Sequence, residues 1–169
     1  IKTILDLLEP QGSKAALSYL PPANLLEFLL LHTYLAAGVP IHFVVENKVL
    51  AALLSDVKPA FFAVRASEVE ALRQYLIDET TRPSRGSRKR TSWSVKVGER
   101  YTDLNRAKFR YRLQVDLADW WRFRIWRRLL GNQVKGIVVT EPVKASTEKL
   151  FEAALIPVFY CPVLMTVLG

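Results

Sequence analysis

The chain has 169 residues and is half apolar, which suits one domain with its own core and excludes a globally disordered polymer. Its single cysteine, Cys161, excludes an internal disulfide, and with only His32 and His42 beside it no Cys/His zinc site is expected. The net charge of +8 is concentrated: residues 82–128 carry 15 of the 24 Lys and Arg against four acids (Glu99, Asp103, Asp116, Asp119), and the rest of the chain sums to −3.

In chain order, Ser13 to Tyr19 and Ala23 to Ala37 read as helices, the second apolar nearly all round and so expected to be enclosed, with Gly38 and Pro40 as its stop. Ile41 to Val45 reads as a buried strand and Asn47 to Leu54 as a helix. After Pro59 comes a second buried strand, Ala60 to Val64, then a helix to about Asp78, with Ser67 and Glu70 in capping-box spacing. Strand, helix, strand, helix implies a parallel pair joined by a crossover. From Thr80 to Ser92 the residues turn to Thr, Arg, Pro, Ser, Gly and Lys, which predicts an exposed basic loop.

Trp93, Val95, Val97 and Tyr101 then alternate with polar residues, as do Phe109, Tyr111, Leu113, Val115 and Leu117. Period-two alternation predicts an antiparallel hairpin with a basic outer face. Asp119 to Leu130 reads as a helix with Trp121, Phe123, Ile125, Trp126, Leu129 and Leu130 on its apolar arc and Trp120, Arg124, Arg127 and Arg128 opposite; Arg122 falls inside the apolar arc. Gly136 to Thr140, Ser146 to Leu155 and Pro157 to Tyr160 complete the chain as strand, helix and strand. Cys161, beside Pro162, reads as a buried structural thiol, and both histidines read as core or boundary residues.

A field of one sign raises the local concentration of polyanions, so nucleic acid is the expected partner. The residues expected to contact it are Arg82, Arg85, Arg88, Lys89 and Arg90 on the loop, Lys96, Arg100, Lys108, Arg110 and Arg112 on the hairpin, and Trp120, Arg124, Arg127 and Arg128 on the helix. Cations reach phosphates, and an exposed indole stacks on an unpaired base.

The run Lys135-Gly-Ile-Val-Val-Thr140, the helix with Ser146, Glu148, Leu150 and Phe151, and the closing Ile156-Pro-Val-Phe resemble the end of Mrr-type members of the restriction-endonuclease-like superfamily. The resemblance covers residues 93 to 160. It implies a metal-binding Asp at Asp103 and a Gln at Gln114, with Asp116 standing where the family has lysine. Lys108 and Arg112 share that face without an easy reach to the lysine's place. A carboxylate there needs a metal beside it, so the resemblance implies either a degenerate site with no cofactor or a nuclease using Mg²⁺ or Mn²⁺.

The expectation is therefore an α/β fold with a mixed sheet and flanking helices, its C-terminal half restriction-endonuclease-like with an antiparallel hairpin. Residues 1–79 form an N-terminal α/β part, 80–92 a flexible basic loop and 93–169 the nuclease-like part, all within one compact domain cut from a larger protein. The expected function is nucleic-acid binding, DNA ahead of RNA by the resemblance, in company with other protein domains or subunits and no membrane. An active nuclease and a structural subunit of a ribonucleoprotein, such as an organellar ribosome, are the alternatives. The lone thiol suggests a reducing intracellular compartment, cytoplasmic or nucleoid-associated, with an organelle also open.

Overall fold

The computed structural model describes residues 15–44, 50–82, 85–101 and 109–162, with the side chains of Arg85, Phe109, Arg110 and Trp121 outside the description. Five short strands, β1 (Ala16–Ser18), β2 (Ile41–Phe43), β3 (Phe61–Val64), β4 (Gly136–Val139) and β5 (Val158–Tyr160), form one sheet in the order β2-β1-β3-β4-β5. Every pairing is parallel; Phe61 to Val64 lie opposite Gly136 to Val139, and Ile137 to Val139 lie opposite Val158 to Tyr160. Parallel strands need crossover connections, and helices supply them here.

Helix α1 (Leu25–Ala36) joins β1 to β2, α2 (Leu50–Val57) joins β2 to β3, and α3 (Ala66–Thr81) follows β3. Three further helical pieces, α4 (Arg85–Glu99), α5 (Phe109–Ala118) and α6 (Arg124–Leu129), come before β4, with a π-helical turn at Asp119–Phe123 between the last two. Helix α7 (Ala145–Ala153) joins β4 to β5.

Alternation along the strands separates two cores. Ala16, Ala63 and Val138 meet Leu26, Leu30 and Tyr34 of α1 on one face. Leu17, Phe62, Val64, Ile137 and Val139 face the other helices, through Leu54, Leu72, Leu76, Phe123, Trp126, Leu150 and Phe151. Trp126, Phe123 and Phe151 are fully buried there, the large aromatic area that dominates such cores.

Several expectations fail for identifiable reasons. Ala16–Ser18 is a strand, because tertiary pairing on both sides overrides the helical propensity of Ala and Leu. Helix α1 buries one side only; Leu25, Phe28, Leu29 and Leu35 are exposed, as are His32 and His42. Strand β2 is an edge strand with Phe43 60% exposed, so its apolar residues do not mark burial. Helix α3 begins two residues earlier than a Ser67 cap implies, and its N-cap, Arg65, makes no side-chain capping bond. Gly38 does stop α1: its φ of +67° is a left-handed conformation, and the Val39 N–H reaches back to the Tyr34 carbonyl.

The largest correction concerns residues 80–117. The sheet is parallel throughout its described strands, and residues 93–99 and 109–117 are helical, so the antiparallel hairpin and the mixed sheet give way to α4 and α5. The proposed basic loop is mostly helix too, as α3 runs to Thr81 and α4 begins at Arg85. The buried positions of α4 are Ser87, Thr91, Ser94, Val97 and Gly98, and the four small ones are spaced four, three and four residues apart, which is the period of a helix. Small side chains let α4 lie close against α7: a Cβ on Gly98 would stand 2.5 Å from Leu150 Cδ1 and 3.1 Å from Phe123 Cζ. Apolar counting overlooks such a seam, because two of its members are serine and one is threonine.

Candidate nucleic-acid interface

The basic helix is fixed at its start by a buried hydroxyl cluster. Ser87 Oγ donates to the Thr80 carbonyl at 2.6 Å, Thr91 Oγ1 contacts the same carbonyl at 3.2 Å, and Trp126 Nε1 reaches Thr80 Oγ1 at 3.4 Å. Together they satisfy the carbonyl end of α3 and clamp α4 to it. The only acid of α4, Glu99, pairs with Arg73 of α3, so negative charge is drawn away from the outer side.

Opposite the small-residue seam, Lys89 and Lys96 are exposed, with Arg100 in the turn that follows. At 100° per residue Lys89 and Lys96 fall on one line, about 10 Å apart along the axis, and Arg100 follows in the turn past the helix end. Arg88 and Arg90 flank this row and are also exposed. A folded helix holds Lys89 and Lys96 at a set interval, so less ordering is needed on contact than for a free loop.

Of the remaining expected contacts, Arg112, Arg124 and Arg128 are exposed on α5 and α6, and Trp120 is 67% exposed. Arg82 is exposed at the end of α3 and pairs with Glu79 at 2.6 Å. Arg127 is committed internally: its guanidinium grips Asp119 at 2.5 and 3.1 Å and donates to the Ala154 carbonyl at 3.1 Å, so it ties the π turn to the end of α7. Lys108 lies outside the described residues, and so do the side chains of Arg85 and Arg110.

Arg122 was placed by sequence inside the apolar arc, and it is buried. It donates to the Ser87 carbonyl at 3.0 Å and to Ser87 Oγ at 2.7 Å, while its Nε lacks a partner among the described residues. Burial, reinforced by Arg90, lowers its pKa. Two cations thus lie beside one turn of α4 with no carboxylate bonded to Arg122 among the described residues, which adds to the positive field at the helix start.

Of the residues implied by the nuclease resemblance, Gln114 and Asp116 are described and do not share one face. Asp103 lies outside the described residues. Gln114 and Asp116 are exposed on α5, where residues two apart project about 200° from each other instead of sharing a strand face. Among the described residues no group of three His, Cys, Asp or Glu is placed to hold a metal. Cys161 is buried, and desolvation pushes its thiol pKa up, away from the reactive thiolate.

The sheet itself offers a second location. In open α/β sheets the crevice at the carboxyl ends of the strands, where strand order reverses, is a habitual ligand site; here the reversal falls between β1 and β3. A cavity of about 140 Å³ opens there between Tyr19, Leu50, Glu68 and Tyr75. Burial raises the Tyr19 pKa, and the hydrogen-bonded Glu68 carboxylate raises it further. That volume is below the roughly 300 Å³ of ordinary small-molecule sites. Sequence reasoning missed this place because β1 was read as helix.

No protein-family model matches the chain, and no curated protein or solved structure is similar to it at a significant level. The geometry therefore defines a class, an open all-parallel α/β domain carrying a basic helical insert between α3 and β4. No helix among the described residues is long and apolar enough to cross a membrane.

Proposed function

We propose that this domain binds nucleic acid through its helical insert, with the row Lys89, Lys96 and Arg100 as the principal phosphate contact. The observation that carries the reading is that row, exposed on a helix whose opposite side is locked into the fold and whose single acid is turned inward to Arg73. Arg88 and Arg90, on the same helix, extend the positive surface. Such contacts position a backbone without reading bases, so binding is expected to tolerate any sequence.

Binding measured by fluorescence anisotropy across a salt series tests this. Three phosphates neutralised on duplex DNA give a slope of about −2.7 in log K against log salt, a loss of about 40-fold between roughly 50 and 200 mM. Absence of binding at low salt, or an affinity indifferent to salt, refutes the reading.

A further inference from the structure

We infer that the chain forms a two-fold dimer through the outer face of α5 and the π turn, with Trp120 at the axis. Helix α5, the π turn and α6 follow one another without a break from Phe109 to Leu129. Tyr111, Val115 and Ala118 point inward, and Tyr111 donates from its hydroxyl to the Val97 carbonyl of α4 at 3.1 Å. On the other side Leu113, Leu117 and Trp120 are 48%, 42% and 67% exposed. Three large apolar side chains in one stripe on an otherwise basic insert are a cost in water that a covering surface removes.

The charges beside the stripe identify the cover as a second copy. Asp116 and Arg124 are both exposed, and each lies four residues from Trp120, on opposite sides along the helix. In an uninterrupted α-helix, positions four apart drift by about 40° per step, which would carry Arg124 well off the line of Asp116. The π turn at 119–123 is more loosely wound and takes up that drift, bringing Asp116, Trp120 and Arg124 into register. The result is a face with an acid at one end, a base at the other and an indole midway.

Such a face complements itself. A two-fold axis through Trp120 runs two helices antiparallel and sets Asp116 against the partner's Arg124, and Arg124 against the partner's Asp116, while the apolar stripes meet between them. Arg112 lies two turns from the axis, where a steep helix crossing separates the chains. Arg128 lines a groove with Ser55 and Asp56 of α2, away from this face. One helical stripe buries less than the roughly 800 Å² per partner of a standard interface, so the dimer dissociates on dilution.

Sedimentation equilibrium of the full chain over a concentration series tests the geometry. Asp116→Arg and Arg124→Asp each replace two reciprocal attractions by two repulsions and should weaken dimerisation at least about tenfold. Mixing these two variants restores both attractions in a heterodimer, and the double variant Asp116→Arg/Arg124→Asp restores them in a homodimer. Circular dichroism verifies folding, which substitutions at these exposed positions should preserve. A wild-type chain that stays monomeric to its solubility limit overturns the inference, as does a dimer that neither reversal weakens or that recombination fails to restore. Because the assay contains no nucleic acid, its outcome is independent of the binding reading above.

Discussion

Replacing Gly98 with alanine probes whether the basic helix lies where the surface requires it. An added Cβ would meet Leu150 Cδ1 at 2.5 Å and Phe123 Cζ at 3.1 Å, with the Leu150 Cα at 3.5 Å. Leu150 and Phe123 are fully buried, so neither side chain can swing out to water. Overpacking of this kind costs about 1–3 kcal/mol, and alanine returns about 0.8–1.0 kcal/mol of helix propensity. The expected net effect is a destabilisation of about 1 kcal/mol.

Shortening Leu150 to alanine costs stability by itself but removes the obstructing methyl, so Gly98→Ala in that background should become stabilising. Denaturant unfolding of the two single variants and the double variant gives a coupling of about 1–3 kcal/mol between the sites. Stabilisation by Gly98→Ala alone, with no coupling to Leu150, would show that α4 does not pack on α7.

Three other outcomes follow from buried groups. Glu27 accepts hydrogen bonds from the Ser18 hydroxyl and the Leu20 N–H, yet desolvation dominates and raises its pKa. The raised value means that Glu27 contributes stability below the ordinary carboxyl range and loses it as pH rises through the folded value. Glu27→Gln should therefore be more stable than the parent at neutral pH, by about 1 kcal/mol, and the advantage should shrink in acid; a large loss at neutral pH would contradict this. Burial and the Glu27 carboxylate push the Tyr34 phenol up to about 12, so alkaline stability should fall between about pH 10 and 12, and Tyr34→Phe should flatten that slope in thermal melts. Arg122→Met should leave thermal stability within about 1 kcal/mol of the parent or raise it, since methionine avoids burying a cation beside Arg90; a loss of about 3 kcal/mol would make the guanidinium an anchor of α4.

The parts of the fold visible in sequence were those whose burial is carried by contiguous apolar residues: Phe61–Val64, Gly136–Val139 and the helical stretch ending at Leu130. The insert was misread because two signals conflict within it. Trp93, Val95 and Val97 alternate like a strand yet pack from a helix, Val97 buried and Trp93 and Val95 half-buried against the core; the close contact is made by Ser87, Thr91, Ser94 and Gly98, which carry little hydropathy and whose meaning depends on the approach of α7. In α5, of the described residues of the alternating apolar set, Tyr111 and Val115 turn inward while Leu113 and Leu117 stay at the surface. The basic character of the candidate site was legible, since charge does not depend on secondary structure, but the ordering of cations into a row was not. Arg127 and Arg122 show the limit of charge counting, because both are spent inside the fold.

The most direct test of the central claim compares two triple reversals that change the net charge equally. One converts Lys89, Lys96 and Arg100 to glutamate, and the other converts Lys135, Lys144 and Lys149, which are exposed elsewhere on the domain. Nucleic-acid affinity is measured for both at one low salt concentration. The account predicts that the first variant loses binding while the second keeps most of it; equal losses would mean that net charge, and not the row on α4, attracts the polyanion.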